Sequence, residues 1–196
     1  MRKDLKNQKG FTLVELAIVL VIIGILLGGI LKGKEMIKQS KVKRIKADID
    51  SIVAACYTYQ DKYRYWPGDN PSGTGSGFYN CGTAGTSSCA DGYINTSDEE
   101  VGAWRELYGS EILNGNPNLT DEQAVAKRHP WGGRYLFRYG THNNKWGMYI
   151  YVDNIPYDVA KQLDEKYDDG IYNTGSIQAS SDYTTQGNKD MYWYVF

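Results

Sequence analysis

Lys9-Gly10-Phe11-Thr12-Leu13-Val14-Glu15-Leu16, continuing as AIVLVIIGILLGGIL to Leu31, decides how the rest of the chain is read. Between Phe11 and Leu31 only Thr12 and Glu15 interrupt an apolar run. As a helix rising about 1.5 Å per residue, some twenty such residues are long enough to cross the ~30 Å hydrocarbon core of a bilayer.

A secretory signal peptide places charge first, then a short apolar core, then a small-residue cleavage site. Here the small residue Gly10 precedes the apolar run, at its junction with a polar leader carrying Arg2, Lys3, Lys6 and Lys9. A cut at that junction removes the leader and keeps the hydrophobic helix. The leader's cations place the N-terminus in the cytoplasm and the C-terminal bulk outside it. Basic residues that follow the helix weaken that vote.

Lys9 to Leu16 resembles the processing site of the type IV pilin superfamily, which includes type IV pilins and the pseudopilins of type II secretion. The resemblance is specific over residues 9–31 and implies cleavage between Gly10 and Phe11 by a prepilin peptidase, with N-methylation of Phe11. A carboxylate in hydrocarbon is costly and marks a partner. For Glu15 the family implies the amine of Phe11 on a neighbouring subunit, paired during assembly. The bland alternative is a tolerated polar residue near the membrane surface.

The remainder reads as one exported head. A chain of 196 residues with net charge −1 fits a single small domain plus a long helix, and nothing in its global charge points to nucleic acid. Its 22 Gly and 17 Tyr favour a loop-rich, aromatic-cored head over a helical bundle. The divisions are a leader at 1–10, a transmembrane or filament-core helix at 11–31, its amphipathic continuation at 32–63, and a head at 64–196. Within the head, a loop region covers 64–133 and a sheet region 134–196.

No proline or turn cluster occurs before Pro67, so one helix is expected from Phe11 to about Tyr63. Ile45, Ile49, Ile52, Cys56, Tyr59 and Tyr63 recur at helical spacing and form the stripe that the head should cover. Lys43, Lys46, Asp50 and Asp61 mark the opposite side. Gly24, Gly28, Gly29 and Gly33 each weaken the helix by about 1 kcal/mol relative to Ala. They serve either as a close-packing surface between helices or as a place for local unwinding in a filament. The helix-breaking proline common among type IV pilins is absent here. Lys32, Lys34, Lys38, Lys41, Lys43, Arg44 and Lys46 form the one basic block, read as a solvated collar at an anionic membrane surface.

Three cysteines remain. Cys81 and Cys89 flank the loop CGTAGTSSC, and in an oxidising compartment that short spacing reads as a local disulfide. Two free thiols or a metal pair are the alternatives, and no nearby His completes a zinc set. Cys56, on the helix stripe, reads as a buried thiol.

After the Pro/Gly/Ser-rich region, Thr96 or Ser97 caps a helix bearing Asp98, Glu99 and Glu100 in its first turn and Val101, Trp104 and Leu107 on its apolar face. A second short helix is expected from Thr120. Residues 134–139 and 146–152 read as a hairpin around a turn at 140–144, residues 156–166 as a helix, and 191–196 as a last strand. The fold class is therefore α+β, pilin-like: a long helix against an antiparallel sheet of three or four strands. Trp66-Pro67-Gly68-Asp69, Glu100 with Trp104, and residues 164–170 also resemble segments of some pilin-like proteins.

Two oxygen-rich loops offer ligands to Ca²⁺, a hard cation that takes carboxylate and carbonyl oxygens. One holds Asp91, Asn95 and Asp98, the other Asp164, Asp168 and Asp169, and neither matches an EF-hand. Turn-forming and capping roles are the competing reading. No cofactor is required. His129 and His142 are the only histidines and no nucleophile, HExxH or phosphate-loop motif accompanies them, so catalysis is unsupported.

Taken together, these residues read as a structural subunit: a single-pass inner-membrane precursor that assembles with copies of itself, served by a prepilin peptidase and an inner-membrane platform. The finished filament is an extracellular pilus or a periplasmic pseudopilus. The alternatives are a pseudopilin or minor subunit of type II secretion, and a tip adhesin or DNA receptor. A signal-anchored enzyme is a further competitor.

Overall fold

Nothing between Thr12 and Tyr63 breaks helical geometry, and α1 runs unbroken over Leu13–Tyr63. The computed structural model describes residues 12–72 and 89–195. The other elements are α2 (Ser97–Gly109), α3 (Glu122–Val125), β1 (Tyr135–His142), β2 (Lys145–Pro156), α4 (Tyr157–Tyr167), β3 (Ile177–Ala179) and β4 (Asn188–Tyr194). The chain divides into two units, Met1–Lys41 and Val42–Phe196, and α1 contributes to both.

In the first unit the helix is apolar and uncovered. Its large hydrophobics from Leu13 to Leu31 are 45–87% exposed, and a Cβ added at Gly24, Gly28, Gly29 or Gly33 would meet nothing within 4 Å. This segment is long and apolar enough to cross a membrane.

The second unit holds the core. Ile45, Ile49, Ile52, Cys56 and Tyr59 are fully buried, as their spacing requires, with Val42 and Ala55 beside them. Tyr63, the last member of the expected stripe, is half-buried. The same core takes Trp104 and Leu107 from α2 and Val159 and Leu163 from α4. Alternating residues of the sheet, including Tyr135, Phe137, Ile150, Val152, Met191 and Trp193, complete it. The Asp48 carboxylate accepts hydrogen bonds from Lys127 Nζ at 2.9 Å and the Tyr135 hydroxyl at 3.1 Å, fastening α1 to the start of β1.

The four strands are antiparallel in the order β1-β2-β4-β3. The α+β architecture is as expected, with local differences. The hairpin strands continue to His142 and resume at Lys145, so the turn is two residues rather than five. Asn143 and Asn144 both take positive φ, 44° and 64°, the conformation that lets a two-residue turn follow the strands' twist. Pro156 keeps an extended ψ of 138°, so α4 starts at Tyr157, one residue later than expected. A fourth strand was allowed for, but no segment was singled out for it, and β3 supplies it. Asn154, at φ 56°, marks the irregularity that lets β2 change register against β4 between Val152 and Ile155.

Candidate functional site

The N-terminal end of α1 carries the chemistry that the sequence singles out. Thr12 precedes the helix and accepts a hydrogen bond from the Glu15 N–H at 3.2 Å. In return the Glu15 carboxylate accepts from the Thr12 N–H and hydroxyl, each at 2.8 Å. This is a capping box, in which side chains three residues apart satisfy each other's otherwise unpaired backbone donors. Its signature, Thr-x-x-Glu, stands in the sequence, where Glu15 is read as a partner for another subunit or as a tolerated polar residue, and not as a cap. Gly10 and Phe11, the expected cleavage pair, lie outside the described residues. Beyond Glu15, exposed Leu, Ile and Val surround the helix for five turns with no cover from the first unit.

The polar leader and the apolar run that begins at the capped start together match a known motif. Residues 5–31 match the prokaryotic N-terminal methylation motif. The methylation motif supports a prepilin-peptidase substrate of the pilin or pseudopilin type and points to a structural subunit. With the apolar helix, it fits a membrane-anchored precursor. The match ends at Leu31, so the motif says nothing about the head. No curated protein and no solved structure matches the chain.

The two oxygen-rich loops differ. Asp164, Asp168 and Asp169 are brought together, each with a carboxylate oxygen within 4.8 Å of the others'. Each also has donors of its own. Asp164, buried, accepts from Gly170 N–H at 3.1 Å and the Tyr183 hydroxyl at 2.6 Å. Asp168 accepts from the N–H groups of Ser176 and Ile177 at 2.5 and 2.7 Å. Asp169 accepts from Ile171 N–H and the Thr174 hydroxyl. Burial raises the Asp164 pKa, whereas the Thr174 hydrogen bond lowers that of exposed Asp169. In the other loop, Asp91 accepts from Asn95 Nδ2 at 2.6 Å, while Asp98 is exposed in the first turn of α2.

Three acids that sequence reading did not single out as sites organise the same region. Asp69 accepts from the N–H groups of Ala90, Asp91 and Gly92 at 2.5, 3.2 and 2.9 Å, tying residue 69 to a segment more than twenty residues on. Glu99 completes a capping box with Thr96 at the start of α2. Glu106 accepts from Gly68 N–H at 2.6 Å. Gly68 has φ 91°, and a Cβ there would lie 2.3 Å from the Glu99 carbonyl oxygen, so only glycine fits this approach. The Thr96 cap was expected from the sequence; for the Asp69 and Glu106 contacts the Trp66–Asp69 resemblance was the one signal.

Both histidines have structural partners. His129 is buried, donates from Nε2 to the Asp153 carbonyl at 2.7 Å and accepts from Trp131 N–H at Nδ1, and burial lowers its pKa. His142 stacks on Tyr192 at 3.5 Å. Cys56 is buried and free, and burial drives its thiol pKa far upward, as for an inert thiol. Cys81 lies outside the described residues. Tyr93, Tyr139 and Trp146 form an aromatic cluster beside the hairpin, Tyr139 tilted against Tyr93 and edge-on to Trp146, with Tyr93 and Trp146 exposed.

Proposed function

We propose that this chain is a structural subunit of a type IV pilus-like helical filament. In this reading the precursor is trimmed between Gly10 and Phe11, methylated at Phe11, and polymerised through the apolar helix into a core of packed helices. The observation that carries it is the methylation motif running directly into an apolar surface that the first unit leaves bare. Other copies of the chain would bury that surface once it leaves the bilayer. Gly24, Gly28, Gly29 and Gly33, which have open space around them, would allow close approach of those copies.

Glu15 selects register by pairing with the Phe11 amine of a neighbour. The capping box supports this role by holding the carboxylate at the first turn of the helix. A Cys81–Cys89 disulfide belongs to the proposal as well, since Cys56 is buried and free and leaves those two to pair. Ca²⁺ at Asp164, Asp168 and Asp169 is its third part. The grouped carboxylates suit a hard cation, and bound there it would offset their mutual repulsion.

Intact-mass and N-terminal analysis of sheared surface material and of cell envelope tests the reading. A methylated Phe11 terminus abundant in the sheared fraction is the expected result. The same terminus confined to the envelope would indicate a pseudopilin or minor subunit, and a terminus still at Met1 in both would overturn the filament. Glu15→Ala should leave membrane insertion intact and abolish most assembly, and normal filaments from that variant would refute the pairing.

A further inference from the structure

Asp91-Gly92, Asn114-Gly115 and Asp169-Gly170 each place a glycine after an Asn or Asp. All three carry the parts of one reaction, in which the glycine's backbone nitrogen attacks the side-chain carbonyl carbon of the residue before it. Glycine has no Cβ to hinder that approach. At Asn the attack closes a succinimide and expels ammonia. At Asp it must expel water, so the carboxylate has to be protonated first.

The fold disables two of the three. Gly92 N–H donates to Asp69 Oδ2 at 2.9 Å, and the Asp91 carboxylate accepts from Tyr93 N–H at 2.9 Å and Asn95 Nδ2 at 2.6 Å. Gly170 N–H donates to Asp164 Oδ1 at 3.1 Å, and Asp169 accepts from Ile171 N–H at 2.9 Å and the Thr174 hydroxyl at 2.6 Å. An N–H held by a carboxylate resists deprotonation, because the resulting anion would face a like charge. A carboxylate with both oxygens engaged stays ionised and is a poor electrophile.

Asn114 stands in the opposite situation, exposed in the loop between α2 and α3. Among the described residues, neither its side chain nor the Gly115 N–H has a hydrogen-bond partner. Its neighbour Asn116, by contrast, is engaged, accepting from Asn118 N–H at 3.0 Å. Gly115 is itself required: a Cβ there would lie 2.4 Å from the Tyr108 ring, which its hydroxyl bond to the Val125 carbonyl holds in place. An open cavity of about 520 Å³, lined by Tyr108, Glu111 and Asn114 among others, admits solvent to the pair. Leu113 N–H, bonded to the Leu107 carbonyl at 3.0 Å, and the Pro117 carbonyl, bonded to Arg105 Nε at 2.9 Å, tether the loop on either side.

We propose that Asn114 is a self-modification site, the one Asn/Asp-Gly pair that the fold leaves free to react. The Gly115 nitrogen gives its proton to solvent and bonds to Asn114 Cγ; the Cγ–Nδ2 bond breaks and the amide leaves as ammonia. Water then opens the ring at either carbonyl, giving aspartate or its β-linked isomer. The net exchange is one amide and one water for one carboxylate and one ammonium ion. The new carboxylate lines the same cavity as Glu111, and the β-linked product lengthens the backbone by a methylene between the two tethers. The head thus gains negative charge with time after folding, and its charge records its age.

The test incubates the full chain in detergent micelles and maps its peptides by mass spectrometry, with digestion kept mildly acidic so that conversion stops. Asn114 should become a mixture of aspartate and its β-linked isomer, about tenfold faster at pH 8 than at pH 7 because the attacking nitrogen must lose a proton. Asp91 and Asp169 should stay unchanged over the same period. Unfolding in urea should accelerate those two at least tenfold and Asn114 by less. Asn114→Gln, which keeps the amide but disfavours ring closure, should remove the acidic species seen on isoelectric focusing. An Asn114 that stays intact in the folded chain, or that unfolding accelerates as much as Asp91 and Asp169, would overturn the proposal. Should Asn114→Gln fail to fold, the wild-type maps decide by themselves.

Discussion

Ile22 and Ile49 are the same residue on the same helix, yet Ile22 is 51% exposed and Ile49 fully buried. The difference separates two uses of hydrophobicity. In the unit from Val42 onward, apolar side chains at helical and strand spacing close on one another and hold the fold. In the unit ending at Lys41, apolar side chains surround the helix and find no cover there, on a segment long and apolar enough to cross a membrane. Polar contacts divide in the same way. The first unit's capping box joins residues three apart, whereas the second fastens residues 38 apart through Gly68 and Glu106 and 87 apart through Asp48 and Tyr135.

The sharpest way to break that contrast is to truncate one side chain in each unit. Trp104, 1% exposed against Phe137 at 4.9 Å, should cost the head about 4 kcal/mol on replacement by Ala. Ile22→Ala should leave the denaturation midpoint of the head unchanged, and equal shifts in the two variants would abolish the distinction. Next, Ile22→Asp places a charge mid-helix and should cost about 3 kcal/mol of membrane insertion. Carbonate extraction of membranes reads that loss, while near-UV circular dichroism should report an intact head. If the aspartate variant stays membrane-bound, the exposed helix is not the anchor.

The smallest expected effect lies wholly within the head. With an affinity in the range of extracellular calcium sites, 10 mM Ca²⁺ should stabilise it by about 2 kcal/mol, and Asp168→Asn should remove that gain. Melting in calcium and in chelator measures it. A wild-type head indifferent to calcium would return Asp164, Asp168 and Asp169 to turn-forming roles that their hydrogen bonds already satisfy.

Much of this was legible from residue order. The α1 stripe, the Thr96 cap, the hairpin and the final strand follow from spacing, because each depends on neighbours within a few residues. β3 was not legible, since Ile177–Ala179 is three residues long and becomes a strand only by pairing with β4. Glu106 was not singled out by the sequence. Its burial depends on Gly68, whose missing side chain admits the turn to within contact of the α2 backbone.

The sequence by itself carried the N-terminal motif: the polar leader, Gly10, and an apolar run opened by Thr12 and Glu15 form a linear pattern, and a linear pattern is legible without any fold around it. Only the tertiary structure decided which acids lose water. Burial of Asp69, Glu99 and Glu106 arises where segments far apart in the chain converge, and desolvation is a property of that convergence rather than of any residue's identity.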